Sequence, residues 1–299
     1  MGLQSQKKRP RACPCPYIRI EAMAYIVVLI AALMHALWNC MIKESDDKLV
    51  TLGAIRLVGL VFGLIVMAWA PVPDLKTLLY LSASSLIFFI YYYFLIHAYQ
   101  YGDFSVVYPI SRGLAPLIVL VFSLFFTSDT FSGYELSAIL LISTGVACLS
   151  ASNLKKGLSL LPVGYALFTA AAIAGYTLLS GIGVRHAGSF IVFSGYIEVF
   201  AGTGVLVFIA FKRKCNPFAL IIKRNKTGIF AGIISVCGFS SALWAMTQIP
   251  IASVAALRET SIIFAGLIGV LYFKEGQTLL RITAASAVAL GVVLFSISG

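Results

Sequence analysis

The chain has 299 residues, of which 60% are hydrophobic and only 11% are charged. Soluble globular proteins average about 45–50% apolar and about 25% charged residues, so a soluble enzyme of this size is excluded, and so is a disordered chain. The net charge of +11 does not point to nucleic acid, because the basic residues sit in short clusters between hydrophobic runs rather than along one face of a soluble fold.

Residues 1–22 form a polar, basic tail with Lys7, Lys8, Arg9, Arg11 and Arg19. Met23 then opens the first hydrophobic run, so the tail reads as an upstream extension that a start at Met23 would remove. The run continues through His35 and Trp38 to Ile42 without a small-residue cleavage pattern, as a spanning segment does and a signal peptide does not. Ten apolar stretches follow one another, at 23–42, 50–70, 77–99, 104–127, 132–152, 161–184, 188–211, 227–247, 251–273 and 278–298. Each is continuous and near the roughly 20 residues that cross a bilayer core as helix. Barrel strands are shorter and alternate in polarity. The expected fold is therefore an all-α integral membrane protein with ten transmembrane helices.

Sliding the sequence by 146 residues aligns Arg112 with Arg258, Asp129 with Glu275, Gly145 with Gly291 and Ser150 with Ser296, with no gap. Two five-helix repeats are expected, at 23–152 and 161–298. An odd number of spans per repeat inverts the second copy, an arrangement found in many secondary transporters. Basic residues favour one set of connections, with Lys43, Lys48, Lys155, Lys156, Lys274 and the cluster at 212–226. The other set holds Lys76 and Arg185 besides the tail. Positive loops face the cytoplasm, which puts both termini outside.

Charged residues inside spans are costly and face the bundle interior. Arg56, Arg112, Glu198, Arg258 and Glu259 are of this kind, joined by His35 and His97. His35, Trp38 and Asn39 share one helical face, and Tyr93, His97 and Tyr101 share another. Tyr108, Ser111, Arg112 and Ala115 share a third, where Pro109 and Pro116 bend or open the helix. In the ninth span Arg258, Ser261 and Ala265 mirror that face. Arg258 and Glu259, adjacent in sequence, point about 100° apart on a helix. The expected cavity residues are His35, Trp38, Asn39, Arg56, Tyr93, His97, Tyr108, Arg112, Glu198, Arg258, Glu259 and Ser261. No catalytic residue, metal site or cofactor is expected, and the Cys13–Cys15 pair lacks the spacing of a zinc site.

The segments H-A-L-W-N at 35–39, G-D-F-S-V-V-Y-P-I-S-R-G-L-A-P at 102–116, I-P-I-A-S-V-A-A-L-R-E-T-S at 249–261 and K-E at 274–275 resemble the drug/metabolite transporter superfamily, EamA type, across residues 23–298. The resemblance implies a central cavity walled by both repeats, opening to each side in turn, and solute movement without ATP hydrolysis. The expected function is a secondary transporter in the cell membrane that exports a small polar metabolite of amino-acid or organic-acid type. Its partners are that solute and the lipid bilayer, not nucleic acid. A coupling ion fits this class, and the oligomeric state stays open. An intramembrane enzyme, with Ser240 in a G-F-S-S-A segment and His97 as its base, is the contrasting reading, as is a channel-like membrane subunit.

Overall fold

The computed structural model describes residues 16–102, 104–149, 160–214, 216–224, 226–272, 274 and 279–298. The tail through Cys15, Asp103, Ser150, the Lys155–Lys156 pair and Glu275 lie outside the described residues. Within them the chain is helical, with α1 Pro16–Glu44, α2 Lys48–Trp69, α3 Leu75–Tyr101, α4 Phe104–Phe126 and α5 Gly133–Cys148 in the first half. The second half has α6 Leu160–His186, α7 Phe190–Arg213, α8 Pro217–Arg224, α9 Lys226–Met246, α10 Ile251–Arg258, α11 Ser261–Leu271 and α12 Leu279–Ser298.

Nine of the described segments are long and apolar enough to cross a membrane, with 251–271 taken as one segment. The expected fifth span, 132–152, is shorter in the structure: α5 has 16 described residues, a rise of about 24 Å against a bilayer core of about 30 Å. Three other differences from the sequence reading are local. Among the described residues helix α1 already covers Pro16 onward, part of the expected tail. The short helix α8 occupies part of the basic 212–226 connection, for which the sequence predicts a loop. The ninth span is broken at Glu259–Thr260. There Glu259 and Thr260 donate their N–H groups to Ala256 and Leu257, three residues back, and Thr260 Oγ1 bonds the Leu257 carbonyl at 2.7 Å. Such back-bonding competes with the α-helical ladder. Helix α4, by contrast, stays one helix through Pro109 and Pro116.

Side-chain caps set several helix starts. Asp47 and Asp74 accept from the N–H groups of Val50 and Thr77, each at 3.2 Å. Ser132 and Glu135 form a reciprocal capping box at α5. Gly188, at φ +64°, turns the chain between α6 and α7.

The halves interleave rather than sit side by side. Helix α3 packs on α6 and α1 on α9; α4 packs on α6 and α1 on α10 and α11; α2 packs on α7 and α5 on α12. Exchanging the halves turns α3–α6 into α1–α9 and α4–α6 into the pairing of α1 with α10 and α11, and returns α2–α7 and α5–α12 to themselves. Glycines allow the close crossings. A Cβ on Gly63 would meet the Gly195 carbonyl, and one on Gly195 would meet Val66 at 2.7 Å. On the α5–α12 seam a Cβ on Gly145 would meet Ala287 at 2.8 Å, and one on Gly291 would meet Ile142. These are the two glycines that the 146-residue offset superposes.

The two ends of the bundle differ. At one end Glu44, closing α1, accepts from Tyr272 Oη at 2.7 Å, and Asp47 pairs with Arg213 at 2.8 Å. Among the described residues this basic end has two small apolar clusters, one around Val50 and Ile221 and one around Ala98 and Ala166. At the other end a single large core runs from Val28 and Leu81 through Phe193 to Ile251 and Phe295. Arg185, read from sequence as a loop charge, is a clasp on this sealed end. It binds Asp129 at 2.7 Å and the carbonyls of Met246 and Ile249 at 2.7 and 3.1 Å. Asp129 also accepts the first N–H of α10, from Ile251, at 3.0 Å.

Replacing Gly63 by Leu overpacks the α2–α7 crossing and is expected to cost about 1–3 kcal/mol. Gly266, with nothing within 4 Å of an added Cβ, is the control: Gly266→Leu should leave the melting temperature in detergent unchanged while Gly63→Leu lowers it.

Candidate solute-binding cavity

A cavity of about 190 Å³ lies between the halves. Taking about 30 Å³ per water molecule, it suits a small solute. Helices α1, α2, α3 and α4 wall it from the first half and α6, α7, α9 and α10 from the second. Helices α5 and α12 pack on each other outside it.

Eight of the expected residues line this cavity: His35, Trp38, Asn39, Arg56, Tyr108, Arg112, Glu198 and Arg258. The α1 face is formed as its spacing requires. The His35 and Trp38 rings meet edge-on at 5.0 Å, and Asn39 Nδ2 donates to the His35 carbonyl at 2.7 Å. Its amide is thus partly engaged within α1.

Two ion pairs join the halves at the cavity wall. Arg56 on α2 reaches Glu198 on α7, with Nη1 3.3 Å from Oε2. Gly59 makes this possible, since a Cβ there would collide with the Glu198 carboxylate. Arg112 on α4 grips Glu259 with two bonds, Nε to Oε2 at 3.0 Å and Nη2 to Oε1 at 2.9 Å. Two parallel bonds of this kind fix orientation as well as charge. Glu259 itself lies at the α10–α11 break, behind Arg112, and lines a second cavity of about 20 Å³ together with Arg112, Thr177 and Arg258. Arg258 faces both cavities.

Three expected residues are not brought to the main cavity besides Glu259. Tyr93 is 57% exposed on the outer face of α3. His97 bonds the Tyr93 carbonyl through Nδ1 at 2.8 Å and stacks among Tyr93, Tyr101 and Tyr165. Ser261 is buried at the start of α11. The opposite face of α3 supplies Ser84, Ser85, Phe88, Phe89 and Tyr91 instead. Phe88, Tyr91 and Tyr176 form an aromatic wall with ring centroids 5.3–5.9 Å apart. Below it Ser84 and Ser180 share a hydrogen bond of 2.6 Å, and Ser235 and Phe239 come from α9. Tyr91 and Ser84, seven residues apart, carry the helical period that marks this second face, and Tyr176 has no comparable signal. Glu135 is a further buried charge, reached by Tyr25 Oη at 3.3 Å and Ser253 Oγ at 3.4 Å on the sealed side. Ser240 pairs with Ser194 at 2.7 Å. Among the described residues no group of three or more His, Cys, Asp or Glu is placed to hold a metal ion.

The model of the EamA-like transporter family matches residues 22–151 and again 160–297. A comparison with curated proteins gave no match. Among solved structures, one described only as "Crystal structure of protein" has a TM-score of 0.68 and 15% sequence identity, over 93% of this chain and 99% of its own. That likeness is one of fold.

Removing one partner of a buried ion pair strands the other, at about 3–5 kcal/mol. Arg112→Ala should therefore destabilise the protein in detergent more than the double variant Arg112→Ala/Glu259→Ala does. Equal melting temperatures for the wild type and Arg112→Ala would show that the pair does not hold the halves.

Proposed function

The chain belongs to the EamA-like transporter family, and from that premise we propose that it is a secondary carrier that exports a small polar metabolite with an anionic group, an amino acid or organic acid, by alternating access. One observation carries this reading: a cavity lined by charged, polar and aromatic side chains from both halves, with a continuous core beneath it and, among the described residues, two separate clusters above it. On this reading the cavity opens toward the basic end and is closed at the clasped end.

Ten spans in two inverted repeats, 23–152 and 161–298, complete the proposal. The reciprocal helix pairings support it, and so does chain direction. The end of α1, at Glu44, and the end of α7, where Arg213 pairs with the α2 cap Asp47, both lie at the basic end, while α6 ends near Arg185 on the sealed end. The matched pairs α1 and α6, and α2 and α7, thus run in opposite senses. With the basic end in the cytoplasm of the cell, the cavity faces the cytoplasmic solute pool, as an exporter requires for loading. Opening the other side means parting Arg185 from Asp129 and from the α9–α10 connection, a set of contacts made and broken as a unit. A serine hydrolase is supported less well: a nucleophile needs its base within hydrogen-bond reach, whereas Ser240 bonds Ser194 and His97 lies on the outer face of α3.

Purified protein in liposomes should exchange one or more radiolabelled amino or organic acids with saturable kinetics, accelerated by unlabelled solute on the opposite side. A flux that rises linearly with concentration and ignores the opposite side would identify a channel.

A further inference from the structure

Charge balance around the cavity narrows the solute class, an inference that rests on the carrier reading. Glu198 on the cavity wall and Glu259 behind it are each engaged by an arginine, Arg56 and Arg112. Arg258 is a third guanidinium, and no hydrogen bond or ion pair joins it to another described residue. It closes α10 where the ninth span breaks, with its side chain on the cavity wall. With His35 neutral, the wall carries one uncompensated positive charge.

We propose that Arg258 is the anchor for a singly charged organic anion, a monocarboxylate, and that the loaded cavity is electrically neutral. A charge left without a partner at membrane depth is expensive, and a monoanion removes that cost. A dicarboxylate would replace one excess charge by another of opposite sign. A zwitterion would leave the excess in place, and both carboxylates that could receive its ammonium already hold guanidinium groups. Guanidinium also suits the task chemically, because its planar fork takes both oxygens of a carboxylate. The rest of the solute has a surface to lie on: the wall of Phe88, Tyr91 and Tyr176 is apolar and aromatic. Binding at Arg258 is communicated directly. The next residue, Glu259, holds Arg112 on α4, so an anion drawn to Arg258 acts on the pair that ties the two halves together.

The test uses the full-length protein in liposomes, as wild type, Arg258→Gln and Arg258→Lys, with matched melting temperatures as the folding control. Exchange is measured for monocarboxylates, dicarboxylates, zwitterionic amino acids and uncharged polyols. Wild type should prefer monocarboxylates; Arg258→Gln should lower their exchange at least tenfold, mainly by raising KM, and Arg258→Lys should retain more than Gln. If either substitution prevents folding, the wild-type preference decides alone. Wild type preferring dicarboxylates or zwitterions, or a folded Arg258→Gln variant exchanging monocarboxylates at the wild-type rate, overturns the anchor and leaves the carrier standing. A folded wild type that exchanges no solute of any class overturns the carrier and the anchor together.

Discussion

The structure depends on one constraint: a charge placed at membrane depth must be answered by an opposite charge. This chain meets it for Arg56 and Arg112 across the boundary between its halves and leaves Arg258 to the solute in the proposal above. Arg56 on α2 is answered by Glu198 on α7, and Arg112 on α4 by Glu259 at the end of α10. Neither half carries its own solution, so neither forms the cavity alone. Glycine makes the pairing possible, because Glu198 fits against α2 only where Gly59 leaves the space of a side chain. Buried pairs of this kind contribute little net stability, but breaking one is costly. They therefore specify how the halves fit more than how tightly they bind.

The near-symmetry of the helix pairings makes the differences between the halves informative. Helix α4 passes two prolines unbroken, whereas its counterpart breaks into α10 and α11 without a proline. Irregular backbone at membrane depth is tolerated where protein buries it or a cavity accepts it, and here Glu259, Thr260 and Ser261 are all buried. The break turns Glu259 to Arg112 while Arg258 faces the cavity. Two adjacent residues thereby serve two partners. The ends differ as well. A continuous core and the Arg185–Asp129 clasp close one, and at the other the described residues form two separate small clusters.

Much of this was legible in the sequence. Hydrophobic length located the nine described segments long enough to cross a membrane. The 146-residue offset matched Gly145 with Gly291, which lie on the same α5–α12 seam, and Arg112 with Arg258, which both reach the cavity. What stayed hidden has physical reasons. Periodicity shows that residues share a face but not where the face turns, so the Tyr93–His97 stripe went to the outside of α3 and the Ser84–Tyr91 face to the cavity. Arg185 reads as a loop charge because its partners, Asp129 and two backbone carbonyls, come from remote turns. The break in the ninth span lacks proline or glycine, and arises from Thr260 back-bonding and from the pull of Arg112 on Glu259. Helix α8 is a short amphipathic segment within a charged connection, below the length at which a spanning-helix reading registers it.

The most direct test of the account is the chemistry of a thiol placed on the cavity wall. Ser235→Cys, in a background with the native cysteines replaced, would be exposed to anionic and cationic methanethiosulfonate reagents from the side bearing the 212–226 cluster. A water-filled cavity with one excess positive charge focuses anions, so the anionic reagent should react several-fold faster and monocarboxylates should slow it. Faster reaction of the cationic reagent, or no reaction of either, would contradict a positively charged cavity open to that side.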